Sequence, residues 1–180
     1  MFQKKNHYNT LRTLLKTVLI IQSIFIITKL NKTENEFIVF NKSRFSLLSK
    51  LVNNKLIIGH DFDSLTPSKH RIIEDYTVGS SINTIEETSL KFIYQLNAEK
   101  LMVVDSLGIY QVKSFKPDYV LIRQSPKINL NRLIDSIQPK QIIADGSNYK
   151  SYVERWNDIC KKRKVPFHQT SKEGAYIIKY

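Results

Sequence analysis

The sequence is poor in the residues that build redox, zinc and phosphate sites. Cys160 is its one cysteine, which excludes an internal disulfide and any cysteine-based zinc cluster. Its place between Ile159 and Lys161, inside a helical pattern, reads as a packed small side chain. The five glycines stand singly, so no Gly-rich phosphate loop is present. No serine sits in a Gly-x-Ser-x-Gly elbow. Asp145-Gly146-Ser147 reads as a turn ending a strand rather than as a catalytic loop. The four histidines, His7, His60, His70 and His168, are scattered, and none has a histidine partner two to five residues away. Internal repeats and low-complexity linkers are also lacking.

What is present is apolar bulk and positive charge. A chain of 180 residues, 42% apolar, suffices for one domain with a real core. The net charge of +12 is unevenly spread. Residues 1–32 hold six basic groups and no acid. Residues 33–112 hold eight basic and ten acidic groups, and residues 113–180 hold fourteen and six. The middle is near neutral and the two ends are basic, a field that favours phosphates of nucleic acid or of anionic lipid. Solvated lysines in an Ile/Asn/Lys-rich composition are the plainer reading.

Thr17 to Thr28 is an uncharged, mostly apolar run. Twelve residues make only about 18 Å of helix, short of the roughly 30 Å hydrocarbon core. Residues 11–30 reach the length and include Arg12, Lys16 and Lys29, near enough to the ends to snorkel. No polar face interrupts the run, and Lys29-Leu-Asn-Lys-Thr33 offers no small-x-small cleavage site. The expectation is one transmembrane helix at about 11–30, within a basic segment 1–32, ahead of a domain at 33–180. Lys4, Lys5, Arg12 and Lys16 precede the run and Lys29 and Lys32 follow it. That bias predicts a single-pass protein of the inner membrane with its domain on the extracytoplasmic side.

Short strands are predicted at Phe37–Phe40, Lys55–Gly59, Leu90–Leu96, Lys100–Asp105 and Ile109–Lys113. Thr66-Pro67 opens a helix to about Tyr76. The pattern then sharpens. Asp118–Arg123 is a strand, and Asn129 caps a helix through Gln138 with Leu130, Leu133, Ile134 and Ile137 on one face. Gln141–Asp145 is a strand, and Ser151 with Glu154 forms a capping box for a helix to about Lys164. Val165–Gln169 and Ala175–Lys179 close the chain as strands. This order is α/β.

That order and its local motifs resemble the metallo-β-lactamase-like domain that ends ComEC competence proteins, most nearly the divergent Bacteroidetes-type form. The family's strand ending in His-His-Gly-Ser is matched by Val120-Leu-Ile-Arg-Gln-Ser-Pro126. Its helix, Lys-Pro-Lys and strand are matched by Leu133–Pro139 and Lys140–Ala144. Its Asn-x-Tyr-Gly-His-Pro is matched by Asn148-Tyr149-Lys150-Ser151-Tyr152. Its closing passage is matched by Val165–Thr170 and Glu173-Gly174-Ala175. The strong match covers about residues 100–180, with residues 33–99 matching loosely and residues 11–32 similar to the last membrane helix before the domain. The family's many-helix channel has no counterpart, which implies a detached C-terminal unit or a fragment.

The resemblance implies a degenerate metallo-β-lactamase-like αββα sandwich that has lost its metal site. Hydrolases of this fold hold their metal with a His-x-His-x-Asp-His cluster, because several ligands must converge within about 2 Å of the ion. Here Arg123-Gln124-Ser125 stands where the family carries paired histidines, and Ser151 or Tyr152 where it carries a third. Asp105 alone matches a family ligand. His60-Asp61-Phe62-Asp63 is the nearest candidate cluster, and an Asp-capped turn explains it more simply.

The expectation is therefore a non-catalytic module without metal or cofactor, handling DNA at the membrane during uptake, with a separate channel subunit as a further partner. Arg123, Gln124 and Lys127 after one strand, and Asn148, Tyr149 and Lys150 after the next, are the candidate DNA contacts. Basic groups hold phosphates, amides bond base edges and tyrosine stacks. Ordinary polar loops are the competing explanation. Two other functions stay open, a divergent metal-dependent nuclease or phosphodiesterase using Asp61, Asp63 and Asp105, and a purely structural domain of a membrane channel. Lys161–Lys164 is a basic cluster at a helix C-terminus, where it complements the dipole.

Overall fold

The structure is a computed structural model that describes residues 2–30, 35–62, 70–80, 82–111 and 115–180. It divides into two units, Met1–Thr33 and Glu34–Tyr180. The first is helix α1, Phe2–Leu30. From Leu11 to Ile27 its large apolar side chains are exposed on every side, Leu11 at 68% and Phe25 at 71%. Thr10–Ile27 is long and apolar enough to cross a membrane, since 18 residues of helix extend about 27 Å. Two of its hydroxyls, Thr17 and Ser23, are satisfied locally. Thr17 Oγ1 donates to the Leu14 carbonyl and Ser23 Oγ to that of Leu19, both at 2.8 Å. That is what a polar group in hydrocarbon requires.

The second unit holds two five-stranded sheets. The first is built from β1 (Glu36–Val39), β2 (Leu47–Val52), β3 (Lys55–His60), β4 (Thr84–Ser89) and, from the far end of the chain, β10 (Tyr176–Lys179). Its order is β10-β1-β2-β3-β4, antiparallel except for the β3–β4 pair. The second sheet, β5-β6-β7-β8-β9, contains Ile93–Leu96, Glu99–Val104, Tyr119–Ile122, Gln141–Ala144 and Phe167–Gln169. From β6 to β9 it is parallel. Its middle strands are apolar runs without alternation, as strands buried on both faces must be.

Period-two geometry sorts those runs into cores. Leu101, Val103, Leu121 and Ile143 face the first sheet and pack with its Phe37, Val39, Leu48 and Ile178. Met102, Val104, Val120, Ile122, Ile142 and Ala144 point the other way. They pack beneath helices α3 (Leu130–Ile137) and α4 (Lys150–Arg163). Ile38, Phe40, Leu47, Leu56 and Ile58, on the outer face of the first sheet, pack against Ile73 of α2 (Arg71–Ser80). Cys160 is fully buried in the α4 packing, as its position suggests. One turn of helix, α5 (Thr170–Glu173), separates β9 from β10.

Several expectations change. The predicted start of α2 at Thr66-Pro67 lies outside the described residues, and its described part runs from Arg71 to Ser80. The strand expected at Ile109–Lys113 does not form over its described residues, 109–111. Gly108 turns the chain with φ +67, and Ile109 is 54% exposed with no strand to pair. The capping box at Ser151 is also overturned. The N-cap of α4 is Tyr149, with no side-chain cap, and Ser151 lies inside the helix. The Tyr149 N–H is taken instead by Ser125 Oγ at 2.7 Å. Strands β2 and β4 were unforeseen. Ser49 and Lys50 interrupt the apolar pattern of β2, and β4 is an almost wholly exposed edge.

Candidate functional site

The parallel strands β7 and β8 end side by side, so the loops after them open at the same end of the sheet. Gln124 and Ser125, just beyond β7, both take left-handed backbone angles, φ 56 and 50. For residues with a Cβ that conformation costs free energy and persists only where neighbours hold it. Here the neighbours come from the loop after β8. The Gln124 N–H donates to Ser147 Oγ and the Ser125 N–H to Asn148 Oδ1, each at 2.8 Å. The Asn148 amide in turn donates to the carbonyl of Ile122 at 2.7 Å. The two loops are thereby locked into one rigid surface.

Beneath them lies Asp145, 2% exposed. Ser46 Oγ donates to one of its oxygens at 2.5 Å, and the Ser147 hydroxyl to the other at 2.5 Å. The Ser147 N–H and the Asn148 amide add bonds at 3.1 Å. Burial pushes the Asp145 carboxyl up to about 6, against the opposing pull of the Ser147 and Ser46 bonds and of Arg123. Gly146 is required here by close approach. A Cβ would stand 2.4 Å from the Lys42 carbonyl oxygen and 2.9 Å from Asn41 Oδ1.

Arg123 is 8% exposed and turned inward, where its guanidinium pairs with Asp61. Asp61 also accepts from the Ser46 N–H at 2.7 Å and from the Gln124 amide at 3.1 Å. Arg123 Nε is buried without a partner. Of the six candidate contacts, then, Arg123 and Asn148 serve inward bonds, while Lys127, Tyr149 and Lys150 are exposed and Gln124 does both. Tyr149 is 72% exposed, and Lys150 Nζ lies 3.9 Å from Glu154. Beside them a groove of about 450 Å³ runs between α3 and α4, lined by Lys127, Leu130, Tyr152, Arg155, Trp156 and Ile159 among others. The Arg155 guanidinium stacks over the Tyr152 ring at 4.7 Å, and Tyr152 meets Trp156 edge-on at 5.6 Å.

The residues do not fit a catalytic metal. Among the described residues, no group of three or more His, Cys, Asp and Glu side chains converges. His60 Nδ1 accepts from the Phe62 N–H, and His70 Nδ1 from the Ile72 N–H at the start of α2. His168 sits against Gly174 and Glu173. Asp105 Oδ1 accepts from the Leu107 N–H in its own turn, and Asp63 lies outside the described residues. With Asp61 already closed on a fixed cation, a metal beside it would meet repulsion.

Sequence reasoning missed Ser46 and the burial of Asp145. No local signal marks either, because Ser46 and Asp145 are 99 residues apart and meet only when the two sheets face each other. Tyr149 and Lys150, singled out by the sequence, lie exposed after β8.

Compared with known proteins, residues 37–180 match the family model of the ComEC C-terminal domain. The match therefore extends across residues 37–99, where the sequence motifs alone were loose. No curated protein matches, and no solved structure does.

Proposed function

The chain belongs to the ComEC C-terminal domain family, and from that premise we propose that its second unit is a non-catalytic, membrane-tethered module that handles DNA during uptake. The packing of α2, two facing sheets, and α3 with α4 supports a metallo-β-lactamase-like αββα sandwich of the divergent kind that the motifs resemble. In that frame Arg123 stands where metal-binding members carry histidine, and its guanidinium supplies the positive charge that a metal would otherwise bring to Asp61.

The observation that carries the reading is the exposed set Lys127, Tyr149 and Lys150 on two locked loops, next to the Arg155–Tyr152–Trp156 groove. Lysine and arginine hold phosphates at either rim, and tyrosine offers a face for a base. Arg123 and Asn148 act as positioning residues, since the Arg123 guanidinium is paired with Asp61 and the Asn148 amide bonds Ile122 and Ser125. The domain's own contribution is a preformed, phosphate-attracting surface. A separate channel subunit is the partner that would carry the strand across.

The test uses the full chain in detergent with fluorescent oligonucleotides of several sequences. Replacing Lys127 and Lys150 by Ala should weaken all sequences alike and reduce the slope of log affinity against log salt by about two. Arg123→Met should leave that slope unchanged, because a paired, buried guanidinium releases no counterion. An unchanged slope in the double lysine variant would move DNA contact off this surface. Undetectable binding at low salt would leave a support domain.

A further inference from the structure

We infer that the end of the sheet unit opposite Arg123 and Asp145 docks on an anionic phospholipid surface through Lys161, Lys162 and Lys164. This inference rests on α1 spanning a membrane, not on DNA binding.

The polarity of the unit follows from its strands. β1 begins at Glu36 and leads toward Lys42, whose carbonyl lies against Gly146 beside Asp145. Glu36 therefore sits at the opposite end. Helix α4 starts at Lys150, next to the locked loops, and finishes at Arg163. Its C-terminus thus lies toward the same end as Glu36, with the starts of β6 and β8. Lys50 on β2 confirms the level, reaching the Gln95 carbonyl at 3.2 Å across from the start of β6.

Three acids at that end are already engaged, and the one at Asp158, a turn before Lys161 and Lys162 on α4, leaves the cluster net positive. Glu99 and Asp118 pair with Lys140 at 3.3 and 3.0 Å, and Asp135 pairs with Arg163. Among the described residues no carboxylate pairs with Lys161, Lys162 or Lys164, and all three are exposed. The helix dipole alone favours cations here. The place where the chain enters adds a second, independent reason. Only residues 31–35 join α1 to β1, so the chain enters the sheet unit at its Glu36 end. The lysine-bearing end is the one leashed to the membrane, and the attraction of lysines to anionic headgroups acts within about a Debye length of the surface. Docking there would leave the Arg123 end facing away from lipid. A nucleic-acid contact for the same lysines lacks this second support.

The full chain, reconstituted in vesicles, provides the test. Cys160 is buried and its thiol is pushed up to about 12, so an added cysteine labels selectively. Ala98→Cys, in the exposed turn before β6, reports the lysine end. Leu107→Cys, 75% exposed after β6, reports the other. Energy transfer to headgroup acceptors should be greater from position 98 in equimolar phosphatidylglycerol and phosphatidylcholine than in phosphatidylcholine alone. High salt, or K161E/K162E/K164E, should abolish the excess, and the Gln triple variant should lower it with less risk to folding. Transfer indifferent to lipid charge, or greater from position 107, overturns the inference. So does a triple variant that loses oligonucleotide binding while keeping the lipid-dependent transfer, which would make the cluster a nucleic-acid surface. Flotation with neutral vesicles at high salt reads the α1 premise separately.

Discussion

Arg123, just past the end of β7, closes on Asp61, just past the end of β3, as an ion pair that bridges the two sheets. The side chains are 9% and 19% exposed, so removing one partner leaves the other poorly solvated. Arg123→Met should cost about 2–3 kcal/mol, somewhat below the loss typical of a fully buried pair because Asp61 keeps its bond from the Ser46 N–H. In a double-mutant cycle with Asp61→Asn, the two losses should fall short of adding by about 1 kcal/mol or more. Urea unfolding of the four proteins measures this. Strict additivity would show that the two groups do not support each other.

Gly146→Ala should be destabilising out of proportion to one methyl group. The added Cβ would stand 2.4 Å from a backbone oxygen that belongs to the opposing sheet's loop. Backbone cannot swing aside as a side chain can, so the loop 41–46 must shift and weaken the Ser46–Asp145 bond. A loss of about 1–3 kcal/mol is expected. Gly79→Ala, with open space around its Cβ, is the control, and equal midpoints for the two variants would sink the argument.

Asp145 gives a pH dependence of defined sign. Its folded carboxyl is pushed up to about 6 from an ordinary value of 3.8, chiefly by burial. The folded state then holds the proton more tightly than the unfolded state. Its contribution is fully present below about pH 4 and is lost as pH rises through 6, on the order of 3 kcal/mol in all. Comparison with Asp145→Asn isolates it. From pH 4 to 7 the wild type should lose ground steadily against the Asn variant, and a constant gap would mean an ordinary carboxylate.

The apolar surface of α1 predicts integral membrane association. The intact protein should stay with membranes through high salt and alkaline carbonate and leave only with detergent. Placing Glu at both Ile20 and Ile24, each more than half exposed, should release it, since a charge at the middle of a span costs about 2.5–3.5 kcal/mol. Extraction of the wild type by carbonate alone would mean that the helix lies on the membrane or apart from it.

Much of the second unit was legible in the sequence wherever the signal is local. Asn129 does cap α3, its Oδ1 accepting from the Arg132 N–H at 3.2 Å, and Leu130, Leu133, Ile134 and Ile137 make its buried face. The apolar runs of β6, β7 and β8 announced strands, and the structure covers them on both faces. β4 stayed hidden because an exposed edge strand has no buried face to mark it, and Ser151 misled because a capping pattern competes with the bond from Ser125 that fixes Tyr149.

By themselves, then, the residues determined an α/β chain with basic ends, one long apolar helix, a lone packed cysteine, and polar loops after two adjacent strands. Those properties depend on spacing and transfer free energy, which a linear string carries. Only the tertiary structure decided that β10 leaves β9 to pair with β1, that Ser46 seals Asp145, and that Arg123 turns inward to Asp61 rather than outward to a ligand. Each joins residues tens of positions apart or more. Their meeting depends on how two sheets stack and on which buried charge needs a partner, and no local pattern encodes either.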